Sequence, residues 1–235
     1  MSTDDAAGLE TSKLREPQQF AFNAVSETLG KSTDVDSCVQ LATRIDELMT
    51  QALEYFRKEG AGIACRSGCT FCCHLRVMVH PHEAIALFRY LGSRLPAAQA
   101  AEVRRRLIEN AAEISQGHAF NRSCAFLVDG KCSAYAVRPS ACSGYHSLSR
   151  EQCEKQYEGG GTPSVGGGEP SAGIPVLQAL EHVAAGLDGG IEQALAALDL
   201  SGARVELHTA VAALIRDPAL TQRWRAGRTL IKDAC

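Results

Sequence analysis

Four cysteines within nine residues, CRSGCTFCC at positions 65–73, constrain this chain more than any other feature. A free cysteine usually behaves as a small buried hydrophobe, yet Gly62, Arg66, Ser67, Gly68 and Thr70 give these four no apolar stripe to join. Spacings this short suit a metal centre. The backbone between the ligands can curl around an ion and turn its amide hydrogens toward the sulfurs, and zinc and iron–sulfur centres both accept such ligands. If Cys72 and Cys73 are extended, their side chains point to opposite sides, which two metals or two irons of one cluster would satisfy.

A second thiol group, Cys124, Cys132 and Cys142, follows downstream, with Cys153 beyond it. The stretch between the groups reads as two helices, enough chain to go out and return as a hairpin. The returning arm can therefore complete a site begun by the first arm. Eight central cysteines suffice for two tetrathiolate centres, whereas seven require another ligand or a shared thiolate. Of the chain's 10 cysteines, Cys38 and Cys235 fall outside this group. Cys38 lies on the apolar face of a predicted helix and reads as core; Cys235 reads as a mobile thiol. Tetrathiolate zinc and oxidised four-iron clusters both carry excess negative charge. Arg66, Arg76, Arg122, Lys131 and Arg138 lie close in sequence and are expected to offset it.

The compartment bears on whether these thiols bind metal. The opening MSTDDAAGLETSKLREP lacks a basic start followed by an apolar run, so we expect no secretory signal and a cytoplasmic chain. There, cysteine clusters more often bind metal or act in redox chemistry than form disulfide frameworks. No stretch approaches the roughly 18 apolar residues of a membrane span. The 24 basic and 27 acidic residues leave a net charge of −3, which argues against an extended nucleic-acid footprint.

Periodicity predicts a mostly α fold: helical hairpins around an irregular cysteine-rich metal-binding centre, with a C-terminal helical segment. Residues 1–33 read as a flexible N-terminal tail with at most one short helix, 34–157 as the cysteine-cluster domain, 158–174 as a Gly-rich linker and 175–235 as the C-terminal segment. Val35, Cys38, Ala42, Ile45, Met49, Ala52 and Phe56 share one helical face, with Thr33 as cap and Gly60 as stop. Leu75–Val79 reads as extended, Pro81 to Gly92 as a helix with Glu83 in its first turn, and Pro96 to Gly117 as another. His118 to Tyr157 reads as irregular. Pro175–Ala185, Ile191–Leu198, Ala203–Ile215 and a stretch around Trp224 read as four short helices separated by Gly and Pro.

Taken together, the first cysteine cluster, Cys124, Phe126, Leu127, the GKC run at 130–132, Tyr135, the VRP run at 137–139 and Cys142 resemble the YkgJ-like cysteine-cluster family, described as putative zinc- or iron-chelating proteins. Flagellin lysine N-methylase is similar as a larger relative. The resemblance covers roughly residues 60 to 153. It implies that Cys65, Cys69, Cys72, Cys73, Cys124, Cys132 and Cys142 are metal ligands or close neighbours of the centre. Ser140 and Ser143 depart from the family's common apolar and basic residues. Cys65, Cys69 and Cys72 also fit the cluster motif of radical S-adenosylmethionine enzymes, with Gly167 to Pro170 as a second motif. That fold needs repeated strand–helix units, which the sequence lacks.

The expected function is therefore that of a cysteine-cluster metal-binding protein. Its candidate metal ligands are those seven cysteines and Cys153. An iron–sulfur cluster of the 4Fe-4S kind, used in redox or methyl-transfer chemistry, is preferred over zinc. The alternative is a non-catalytic zinc module whose C-terminal helices bind a protein partner; a thiol redox switch is a third reading. His80 and His82 read as capping or solvent-facing, while His74 and His146 stay open as nitrogen ligands. Arg138 and Tyr135 read as structural, and Arg104, Arg105 and Arg106 as a solvated helix face.

Overall fold

The computed structural model describes residues 3–32, 34–117, 122–158, 164–165 and 174–231, and these are mostly helical. Helix α1 (Thr3–Leu29) packs along α7 (Gln178–Ala197). Within the stretch expected as a tail, Ala21, Ala24, Val25 and Leu29 are buried in the core. The small residues that weakened the apolar signal are what allow the two helices to meet. Gly190 shows how closely they do so: a Cβ there would run into the Gln18 carbonyl oxygen and stand 2.8 Å from the Ala21 Cβ. The glycines around position 190, expected to separate two helices, instead lie inside one continuous α7. Gly190→Ala gains about 1 kcal/mol of intrinsic helix propensity. It also overpacks a backbone contact, at about 1–3 kcal/mol. We expect a net loss of up to about 2 kcal/mol, read as a lower urea midpoint.

Helix α2 (Val35–Lys58) buries Cys38, Ala42, Ile45 and Met49 of the predicted face together with Leu41 and Leu53, which lie beside it, while Val35, Ala52 and Phe56 are half-buried. Its cap is Asp34, whose side chain accepts the Ser37 N–H at 2.6 Å; Thr33 lies outside the described residues. Helices α3 (Pro81–Ser93) and α4 (Ala97–Ser115) form the expected hairpin. The extended segment after the first cysteines is β1 (Arg76–Val79). It pairs antiparallel with β5 (Val205–Glu206) and parallel with β4 (Ser164–Val165). Of the expected linker at 158–174, only Glu158, Ser164, Val165 and Ile174 are described.

The segment from 122 to 158 is more ordered than expected. A hairpin of β2 (Leu127–Val128) and β3 (Lys131–Cys132) turns at Asp129 and Gly130, both at positive φ, as a two-residue type I′ connection requires. Helices α5 (Ser140–Gly144) and α6 (Arg150–Glu158) follow. Helix α6 was invisible to periodicity because Cys153 is its one buried residue.

Helix α8 (Leu207–Arg216) starts later than predicted, because Val205 and Glu206 join the sheet and Glu206 then caps the helix. Helix α9 (Leu220–Arg225) inserts Trp224 fully into the core, its indole N–H donating to the Ser201 carbonyl at 2.8 Å. One apolar cluster runs from Ala21 to Leu230, so the C-terminal helices bury their apolar faces within this chain. Among the described residues no helix is long and apolar enough to cross a membrane. Their strands do not alternate with helices as the radical S-adenosylmethionine fold requires, and Gly167 to Pro170 lie outside them.

Candidate metal centre

Cys65, Cys69, Cys72, Cys73, Cys124, Cys132 and Cys142 all line one cavity of about 560 Å³. Three stretches of chain bring them there. Residues 65–73 wrap one wall and end in the 3-10 turn Phe71–His74. Cys72 and Cys73 are therefore not extended, and successive residues of such a turn rotate by about 120°. Both thiols consequently reach the same cavity, and the Cys73 side chain is hydrogen-bonded to Cys72. The β2–β3 hairpin supplies Cys124 and Cys132, and α5 supplies Cys142.

Backbone contacts pin these stretches together. The Cys124 N–H donates to the Cys73 carbonyl at 2.6 Å. The Ser147 N–H donates to Cys65 Sγ at 3.3 Å, and Arg57 donates to the Cys65 carbonyl at 3.0 Å. Arg106, expected on a solvated face, instead donates to the carbonyls of Leu127 and Cys124 at 2.6 and 2.8 Å and so anchors the hairpin. Arg105 does fit that expectation, pairing with Glu102 and Glu109 on the exposed side. From the far end of the chain, His208 Nε2 accepts the Ala125 N–H at 3.2 Å, which requires its Nδ1 to donate to Glu206 at 2.9 Å.

Helix α5 is held by two acids, the buried Glu83 and the partly exposed Asp188. Glu83 accepts the Ser140 N–H at 2.7 Å through one oxygen and the His80 N–H at 2.8 Å through the other. Asp188 accepts from Ser140 Oγ at 3.2 Å, from His80 Nε2 at 3.3 Å and from Arg204 at 2.9 Å. Burial opposes ionisation of Asp188, but these donors outweigh it and hold its carboxyl below the usual range. His80 and His82 are thus buried, not solvent-facing. Only Glu83 left a trace in the sequence, as a first-turn acid; its second partner, 57 residues away, left none.

Burial works against the thiolate form at five of these cysteines. Burial pushes Cys65, Cys124 and Cys132 each to about 11 and Cys142 well above its usual value. The Cys73 hydrogen bond, with burial, does the same to Cys72. A cation in the cavity would reverse this by favouring the thiolates. Among the described residues the charged side chains in the cavity wall are Arg57, Arg66, Lys131 and Arg138, with no acid among them. Arg138 also pairs with the buried Asp46 at 2.6 Å and covers the Tyr135 ring, in keeping with a structural role. Arg122 faces Glu109 and Glu113.

Other candidates sit elsewhere. His74 donates from Nδ1 to the Thr70 carbonyl and packs on Tyr157. Cys153 is buried beside the site, hydrogen-bonded to the Ser147 side chain, but does not line the cavity. Cys38 is core, pushed to about 12 by burial. Cys235 lies outside the described residues. His146 does line the cavity, and burial lowers it to about 4, leaving a neutral imidazole at neutral pH.

In kind, these donors suit zinc and iron, both of which take thiolate ligands. Among the described residues no three Cys, His, Asp or Glu side chains already converge on one point that could hold a metal ion. The described thiols are free of disulfides.

Residues 64–159 match the family model CxxCxxCC, described as "Putative zinc- or iron-chelating domain". The YkgJ-like resemblance fits this match; the one to flagellin lysine N-methylase finds no support in it. No curated protein and no solved structure matches the chain.

Proposed function

We propose, from the premise that residues 64–159 belong to the CxxCxxCC family, that this protein holds an iron–sulfur centre on Cys65, Cys69, Cys72, Cys73, Cys124, Cys132 and Cys142 and uses it in redox chemistry. The observation that carries this reading is the single cavity lined by all seven thiols. Seven sulfurs outnumber the four of a closed zinc site. A volume of about 560 Å³ also exceeds what one ion needs, since a water molecule's share of the liquid is about 30 Å³. When bound, such a centre supplies a one-electron couple whose potential depends on hydrogen bonds to sulfur and on solvent exposure. The chain's own part is to supply those conditions: Ser147 donates to the Cys65 sulfur, and Arg57, Arg66, Lys131 and Arg138 offset negative charge.

The second reading, structural zinc, is favoured by the backbone between 122 and 139. That backbone contains only two-residue strands and a 3-10 turn, so a cross-link through metal would stabilise it. Anaerobic purification with metal analysis and a visible spectrum separates the two. Iron with acid-labile sulfide and a broad visible absorption is the expected result. A colourless protein with stoichiometric zinc would replace the redox reading by the structural one, and a protein free of either metal would overturn both. Use of the same centre in methyl transfer predicts binding of S-adenosylmethionine, measurable by calorimetry on the loaded protein.

A further inference from the structure

We propose that His146 supplies the eighth donor of the metal centre, a nitrogen beside the seven thiols. This rests on the reading of the cavity as a metal site. Seven thiols fall one short of two four-coordinate sites, so either one thiolate is shared or a further side chain takes part. Cys153 is the obvious candidate from the sequence, but its sulfur lies outside the cavity wall and is hydrogen-bonded to the Ser147 side chain. His146 is in the wall. Only 7% of its surface is exposed, and neither ring nitrogen makes a hydrogen bond of good geometry, the Ser143 backbone being the one hydrogen-bonding group close enough to act on the ring among the described residues. A buried polar group left in this state destabilises the fold, and a ligand in the cavity would relieve that cost.

The backbone around His146 is fixed on both sides, as a ligand position requires. The His146 carbonyl accepts the Leu177 N–H at 3.2 Å, the Ser147 carbonyl accepts the Ala64 N–H at 2.9 Å, and the Ser147 N–H meets the Cys65 sulfur. His146 therefore lines the cavity from the stretch of chain that leads from α5, which carries Cys142, to the Ser147 contact with the Cys65 sulfur. A neutral imidazole next to thiolates is a donor set used by zinc and also by iron–sulfur centres in which histidine replaces cysteine.

The test uses the full-length, metal-loaded protein. X-ray absorption at the edge of whichever metal it carries should show an imidazole shell in addition to sulfur, and His146→Ala should abolish that shell. Loss of outer-shell partners alone typically costs about 10–100-fold in metal affinity, so His146→Ala should weaken binding by about 100-fold or more, measured by chelator competition. His146→Cys should restore affinity with an all-sulfur shell, which also controls for misfolding. Cys153→Ser should keep the wild-type shell. An all-sulfur shell in the wild-type protein, or unchanged affinity in His146→Ala, overturns the assignment while leaving the metal centre intact. A wild-type protein that takes up neither iron nor zinc instead overturns the reading on which the assignment rests.

Discussion

Chelation of the metal at neutral pH is expected to lower the thermal unfolding midpoint by about 8–16 °C. In the absence of a cation burial favours the protonated thiols of Cys124 and Cys142, so loading expels protons and replaces buried neutral groups by a cross-link between 65–73, the β2–β3 hairpin and α5. A ligand that binds only the folded state at a thousand times its dissociation constant adds about 4 kcal/mol. For a chain of this size each kcal/mol moves the midpoint by about 2–4 °C. Cys72→Ser and Cys132→Ser should each lose metal and show much of the same shift before any chelator is added. The two variants come from different arms, so metal retained in full by both would contradict the shared-site reading. Binding should also weaken as pH falls, because ligation releases protons from the thiols; metal titrations at two pH values measure this.

Loss of the Glu83 carboxylate is the second large effect. Glu83→Ala leaves the N–H groups of His80 and Ser140 buried without an acceptor. Each such orphan costs about 1–3 kcal/mol, so roughly 2–6 kcal/mol of folding stability should go. Glu83→Gln retains one acceptor oxygen but turns an amide N–H₂ toward the other donor, and should fall between wild type and the alanine variant. Because Ser140 opens the helix that carries Cys142, metal affinity should fall along with stability. Removing Glu206 offers a comparison on the opposite arm, where His208 holds the Ala125 N–H next to Cys124. Denaturant unfolding and chelator competition on the same samples read both quantities. A Glu83→Ala protein as stable as the wild type would mean that the bridge between α3 and α5 contributes nothing.

The helices legible in the sequence were those with a sustained apolar period: α2, α3 and α4 appear close to where Val35 to Phe56, Pro81 to Gly92 and Pro96 to Gly117 placed them. Those that escaped lack such a period. Helix α6 buries only Cys153, α1 meets its partner through alanines, and α7 passes through glycines that look like breaks when the partner is unknown. The site divides in the same way. Spacing marked Cys65, Cys69, Cys72 and Cys73 as a cluster, because ligand type and short loops are local properties of the chain, while the joining of Cys124, Cys132 and Cys142 to it came from the family resemblance, and Cys153 stood among the candidates. That the seven face one cavity, that His146 joins them where Cys153 does not, and that Glu83, Arg106 and His208 hold the arms in place, only the tertiary structure decided. Those facts rest on contacts between residues far apart in the chain, and a side chain's role in such a contact depends on what the fold sets opposite it.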